Sequence, residues 1–327
     1  MQKDQDTELS LQVGGQAVLE GVMMRAPGMV STAVRRGDGT IVVRNDPYVS
    51  LTQRIPVLKL PVLRGAVGLV EMLVIGVRSL NFSAEVALAE EERNDHSRGP
   101  NGTAHEGRSK WSLAATVAIG LALGIGLFFG LPLLAATMLF SVEQEPLLFN
   151  LIAGVVRVLL FLGYLGGIAL LKDIQRLFAY HGAEHKAIAA FERGGDASVE
   201  TAIGESRFHP RCGTSFLLIV MLLAILLFSL LDAFLIIWLG ELTLPIRFLS
   251  HFLLLPVVGG ISYEMLKLSA KRRSSALGRL LVAPGLWLQS ITTREPTADQ
   301  LEVAIAALKG ACQRPQDQGR ILELAAN

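Results

Sequence analysis

The sequence predicts a membrane α-helical bundle of about four transmembrane helices, with a small N-terminal β-rich cytoplasmic cap and amphipathic interfacial helices. Three observations predict it. Of the 327 residues 51% are apolar, and they are partitioned rather than spread: residues 1–55 and 84–110 are polar, whereas 112–171 and 215–291 are dominated by Leu, Ile, Val, Phe, Ala and Gly. Four runs, 113–140, 147–171, 216–240 and 246–266, are long enough to cross about 30 Å of hydrocarbon at about 1.5 Å per helical residue. The connections between them alternate between basic and non-basic.

In chain order, the N-terminus MQKDQDTELS is polar and has no apolar core, so no signal peptide is expected. Residues 14–25, GGQAVLEGVMMR, read as a strand, and 30–45 read as a β-hairpin turning at Gly37-Asp38-Gly39. Residues 60–80 are apolar but carry Arg64, Glu71 and Arg78. That suits an interfacial or re-entrant helix better than a crossing. The charged, Gly-containing run up to 110 reads as a flexible linker.

The segment before span one carries Arg35, Arg36, Arg44, Arg54, Lys59, Arg64 and Arg78, and SVEQEP after it carries no Lys or Arg. The next connection carries Lys172, Arg176, Lys186, Arg193, Arg207 and Arg211, ELTLP carries none, and Lys267, Lys271, Arg272 and Arg273 follow span four. The consistent solution is four spans with both termini cytoplasmic, and Lys271, Arg272 and Arg273 are expected to meet anionic lipids. Residues 278–291 hold a central Pro-Gly and read as a helix broken near the membrane surface, and Thr297 to Gln300 reads as a capping box opening a helix that Gly310 ends. The expected organisation is a cap over 1–59, an interfacial helix over 60–84 and a linker over 85–111. A four-span domain follows over 112–292, with its cytoplasmic loop at 172–214, and then a C-terminal helix and tail over 293–327.

A net charge of +1 provides no global basic field for nucleic acid. There is no GxxxxGK[ST] loop, GxSxG elbow or GxGxxG after a strand, which removes the simplest support for ATP-driven transport and serine-hydrolase chemistry. The sharpest positive signal is His181-Gly-Ala-Glu184-His185. Histidines at i and i+4 share one helical face, so two imidazoles can meet one divalent metal, zinc being the ion that suits them best. The string fits H-x-x-E-H, in which the glutamate serves as base, so Glu184 is the candidate catalytic residue. His209 and Cys212, in HPRCGTS before span three, have metal-ligand chemistry and face the same membrane side. Glu264 lies about 27 Å along span four and is a further candidate ligand at that depth; Glu20 is a weaker one. Inside the membrane, Arg157 and Asp232 lie about 15 and 12 Å from the outer surface. An intramembrane charge requires a partner, so they are expected to pair, with His251 nearby.

GGQAVLEGVMMRAP, YHGAEHKAIAAFE, HPRCGTSF and TTREPTADQLEVAIAALK together resemble the YqhQ-like family over about residues 12–310. The resemblance implies a bacterial cytoplasmic (inner) membrane protein, multi-pass, built on a domain of unknown function and described as a predicted metal-dependent enzyme. It supplies no reaction. Two functions follow from the residues: a metal-dependent enzyme, a hydrolase if any, with its site at the cytoplasmic interface, or a non-enzymatic scaffold, assembly factor or small channel with structural histidines. The bilayer is the expected partner; protein partners and oligomeric state, a homo-oligomer included, stay open.

Overall fold

A computed structural model of the chain describes residues 13–96, 115, 119–120, 122–139, 145–194, 197–271, 275–312 and 321–324. Its N-terminal part is an antiparallel meander of β1 (Gly14–Val18), β2 (Gly21–Ala26), β3 (Gly28–Arg35) and β4 (Ile41–Tyr48). A distant strand, β5 (Ile321–Leu324), pairs with β4 from the C-terminus. The segment expected as one strand is in fact the β1–β2 hairpin, with Val18 paired to Gly21 around Leu19-Glu20. Its left-handed residue is Glu20 (φ 52°). A two-residue turn usually announces itself with Gly or Asn at that position, and this one does not. The β3–β4 turn does, through Gly39 (φ 89°).

Alternation along the strands gives the sheet two buried faces. Val18, Met23, Val34 and Val42 pack under α2 (Leu63–His96) through Ile75, Phe82 and Val86. Val22, Met24, Ala33, Ile41 and Val43 pack on α5 (Lys172–Gly194) and α10 (Ala298–Cys312). Between β4 and α2 the chain makes α1 (Leu51–Arg54) and a 3-10 turn, Pro56–Lys59. The buried Glu71 carboxylate accepts from Leu51 N (2.6 Å) and Ser50 Oγ (2.9 Å), which ties that connection to α2. α2 continues beyond residue 84 into the run expected as a linker; residues 97–110 lie outside those described. Val70, Leu73 and Val77 are exposed on the face of α2 turned away from the sheet.

Among the described residues three helices are long and apolar enough to cross a membrane: α4 (Pro146–Ile168), Phe216–Leu239 of α7 (Gly213–Leu239), and Leu244–Leu268 of α8 (Leu244–Lys271). Of the expected first span, 113–140, the described part is a shorter apolar helix, Ala122–Thr137, which contains a π-turn at Gly126–Gly130 followed by α3 (Leu131–Thr137). The expected break at 278–291 is absent. α9 (Ala276–Thr292) runs through Pro284, because one missing N–H costs one hydrogen bond while buried Val282 and Leu288 hold the turns on either side. At α10, Thr297 N donates to Gln300 Oε1 (3.0 Å) and Gln300 N to Thr297 Oγ1 (3.4 Å), a reciprocal cap. Gly310 lies inside this helix instead of ending it. A Cβ there would overlap Ser31 Oγ, so the glycine serves the close approach of α10 to β3. The cluster Lys271, Arg272 and Arg273 falls where side chains lie outside the described set.

Candidate metal centre

α5 presents His181 and His185 one turn apart, with ring centroids 4.5 Å from each other. Two neighbouring segments fix these rings from behind. On one side Gly182 lets the extended chain after α9 come into backbone contact: a Cβ would overlap the Arg294 carbonyl oxygen. Arg294 N donates to Phe178 O at 2.9 Å. This approach sets the Thr292 carbonyl 2.8 Å from His181 Nδ1. On the other side, the loop between α6 (Val199–Ile203) and α7 sets the Arg207 carbonyl 2.6 Å from His185 Nδ1. A carbonyl only accepts, so each Nδ1 carries the proton and each Nε2 keeps its lone pair.

Both lone pairs are directed toward Cys212. His181 Nε2 lies 3.2 Å from Cys212 Sγ. Cys212 caps α7 and is held by Thr214, whose N–H reaches Sγ at 3.4 Å. His185 Nε2 is buried, with no hydrogen-bond partner among the described residues. The ligand atoms of His181, His185 and Cys212 all lie within 4.8 Å of one another, and among the described residues they form the group of this kind. Tetrahedral zinc at about 2.0 Å from nitrogen and about 2.3 Å from sulfur needs ligand separations of roughly 3.5 Å. A small inward shift of rings already oriented by carbonyls would meet that. Carbonyl-anchored imidazoles are how proteins orient metal-binding histidines, so the donor set fits a metal and leaves a coordination position open.

Glu184 is buried beside this set, its Oε2 4.0 Å from His181 Nε2. It lies against β1: the Gly15 N–H donates to it, and a Cβ at Gly15 would sit 2.9 Å from Glu184 Cγ. Burial pushes the carboxyl up to about 7, against the opposing pull of His181 and the Gly15 N–H. Burial holds the His185 imidazole below the usual histidine range, reinforced by His181 and opposed by Cys212 and the Arg207 carbonyl.

Other candidates lie elsewhere. His209 stands 5.7 Å from the His185 ring, but both its nitrogens are engaged. Nε2 is 3.2 Å from Glu192 Oε1, and Nδ1 accepts from Arg211 N at 3.4 Å. Its backbone is bolted to Gln289 by two bonds of 2.8 Å. Glu264 stands outside the group of His181, His185 and Cys212: both its oxygens are held by Arg64, at the start of α2. Depth had matched it to the histidines, but its partner is an arginine. Glu20 pairs with Arg176 at 2.5 Å.

The expected Arg157–Asp232 pair does not form. Asp232 instead takes Arg247 at 2.7 Å, His251 at 2.7 Å and Asn150 at 2.7 Å. Arg157 Nε donates to Phe128 O at 2.9 Å. That carbonyl belongs to the π-turn at Gly126–Gly130, so the arginine answers to the irregular helix beside it rather than to Asp232. Arg247 escaped the depth argument because it stands at the start of its helix, from which a long side chain reaches inward.

A family model described as "Protein of unknown function (DUF1385)" matches residues 60–314, which include His181, His185 and Cys212. The uncharacterized protein YqhQ of Bacillus subtilis (strain 168) is 34% identical over 296 residues, 89% of this chain and 89% of its own. No solved structure matches the chain.

Proposed function

The chain belongs to this DUF1385 family, whose description assigns no activity, and from the geometry we propose that it is a metal-dependent hydrolase of the bacterial cytoplasmic membrane. His181, His185 and Cys212 hold the ion, and zinc suits two imidazoles and a thiolate. When bound, the metal supplies a Lewis acid and an acidified water. Glu184 accepts the proton of the attacking water and returns it to the leaving group, a role suited to a carboxyl with its pKa near neutrality. The alternation of basic and non-basic connections supports a topology in which the centre faces the cytoplasm.

The single observation that carries the reading is the pair of histidines whose Nδ1 atoms are tied to Thr292 and Arg207 carbonyls while their Nε2 atoms turn toward Cys212. Elemental analysis of protein purified without chelator tests it. Stoichiometric transition metal in the wild type, and none after His181→Ala with His185→Ala, is expected. Wild-type protein free of metal, or equal loading of the double variant, overturns it.

A second reading, a non-enzymatic bundle with a structural metal, is favoured by the network at Asp232. Asp232 binds Arg247, His251 and Asn150, and Arg247 Nη2 also reaches Asn150 Oδ1 at 3.0 Å. Such a network organises α4, α7 and α8 without any chemistry. Glu184→Gln separates the two: a hydrolase loses turnover with the metal retained, and a structural site has no turnover to lose.

A further inference from the structure

The metal centre meets the ends of two apolar helices, α7 at Cys212 and α9 at Thr292, while His181 and His185 themselves lie midway along α5. Cys212 caps α7 four residues before Phe216, where the apolar window opens. Four residues rise about 6 Å, and the headgroup layer on one side of a bilayer is roughly 5–7 Å thick. Thr292, whose carbonyl orients His181, is the last residue of α9. Trp287, about a turn and a half earlier, is 55% exposed on that apolar helix, and tryptophan favours the membrane–water boundary. The end of α4 arrives at the same level: Arg294 Nη2 donates to Ala169 O at 3.4 Å.

This level carries uncompensated positive charge. Arg207 donates to the carbonyl and hydroxyl of Thr293, and Arg294 to a carbonyl. Among the described residues neither is paired with a carboxylate, whereas the neighbouring Arg211 and Lys186 are paired with Glu192 and Glu295. The N-terminus of the 27-residue α7 adds the positive end of its dipole beside Cys212. A divalent ion would add two more charges.

We infer that the metal centre lies within the headgroup layer and that its substrate is a phosphate-bearing lipid headgroup. The inference rests on the metal reading above. A neutral peptide segment at the same depth would leave the two guanidinium groups without a counter-charge. A phosphate presented by a lipid supplies that charge at the depth where the ligands stand.

The test uses full-length protein loaded with Co²⁺ in nanodiscs of phosphatidylcholine mixed with phosphatidylglycerol, and reads phosphorus-31 relaxation of each lipid. The visible absorption of cobalt–thiolate ligation reports occupancy separately. Expected are strong broadening of phosphatidylglycerol over phosphatidylcholine, loss of that broadening in the His181→Ala, His185→Ala protein, and a preference for phosphatidylglycerol lowered about fivefold by Arg294→Ala with the cobalt spectrum unchanged. Cobalt bound without broadening of either lipid overturns the lipid substrate and leaves the metal reading standing. Broadening abolished by millimolar inorganic phosphate, with no preference between the lipids, overturns it in favour of soluble phosphate. Cleavage of an apolar peptide by the metal-loaded protein, with no lipid effect, overturns it in favour of a membrane-protein segment. Failure of the wild type to bind cobalt removes both readings.

Discussion

Glu184 is a carboxyl held near neutrality by burial, and the consequence for stability has a definite sign. Its folded pKa, about 7, exceeds the ordinary value of 4.5. Between those values the folded chain therefore holds more proton than the unfolded one, and stability falls as pH rises through that window. The depressed His185 acts oppositely, withdrawing stability as pH falls below the ordinary histidine value. Comparing metal-free wild type with Glu184→Gln isolates the glutamate: the variant should gain roughly 3 kcal/mol relative to wild type between pH 4.5 and 7. Chemical unfolding at stepped pH measures it, and a flat difference curve would show that the carboxyl is not held up.

At this scale the sequence was legible where chemistry and spacing coincide. The i, i+4 histidines and the nearby Cys212 are a ligand set by residue type alone. The residues that orient them are not legible, because Thr292 and Arg207 act through backbone carbonyls that any side chain could carry. Depth proved a poor guide to partnership. It placed Glu264 beside the histidines and Arg157 beside Asp232, but a helix has a circumference as well as a length. Glu264 faces Arg64, and Arg157 answers to the Phe128 carbonyl in the π-turn.

Among the elements, the contact of α5 with the segment after α9 governs the centre. Gly182 is the residue that permits it, since a methyl group would push against the Arg294 backbone. Gly182→Ala should cost about 1–3 kcal/mol by overpacking. It should also weaken metal binding by about 10–100-fold, because the Thr292 carbonyl moves with the same segment. Chelator competition and thermal unfolding read the two effects separately, and unchanged affinity in a destabilised variant would uncouple them.

The helices of the bundle are joined by a different element-scale device. Asp232 and Arg247 are almost fully buried, with Asn150 and His251 completing the set. Removing one member of a buried pair leaves the other charge uncompensated, so Asp232→Ala should destabilise by about 3–5 kcal/mol. Asp232→Ala with Arg247→Met should recover much of that loss. A single variant with wild-type melting would mean that the pair contributes little.

For the whole molecule, the sheet has one orientation relative to the apolar helices because it is tied to them by elements from both ends of the chain. α2 roofs one face and meets α8 near Gly260, where a Cβ would overlap the Val62 carbonyl oxygen. α5 and α10 cover the other face, and β5 closes the edge from the C-terminus. The hairpin turn at Gly39 and the connection at Glu241 between α7 and α8 therefore belong to opposite ends of the structure, the first with the metal ligands and the second with the far ends of the apolar helices. If both termini are cytoplasmic, Gly39 is inside and Glu241 outside. Single cysteines at these positions, in a Cys312→Ser background with the buried Cys212 retained, convert this into an accessibility measurement. A membrane-impermeant maleimide added to intact cells should label Glu241→Cys and spare Gly39→Cys until the membrane is opened. Labelling of both would mean that the helices do not separate these ends across a bilayer. The reverse pattern would turn the metal centre outward, where the basic loops that predicted the topology would contradict the charge rule and the hydrolase would have to act on an extracellular substrate.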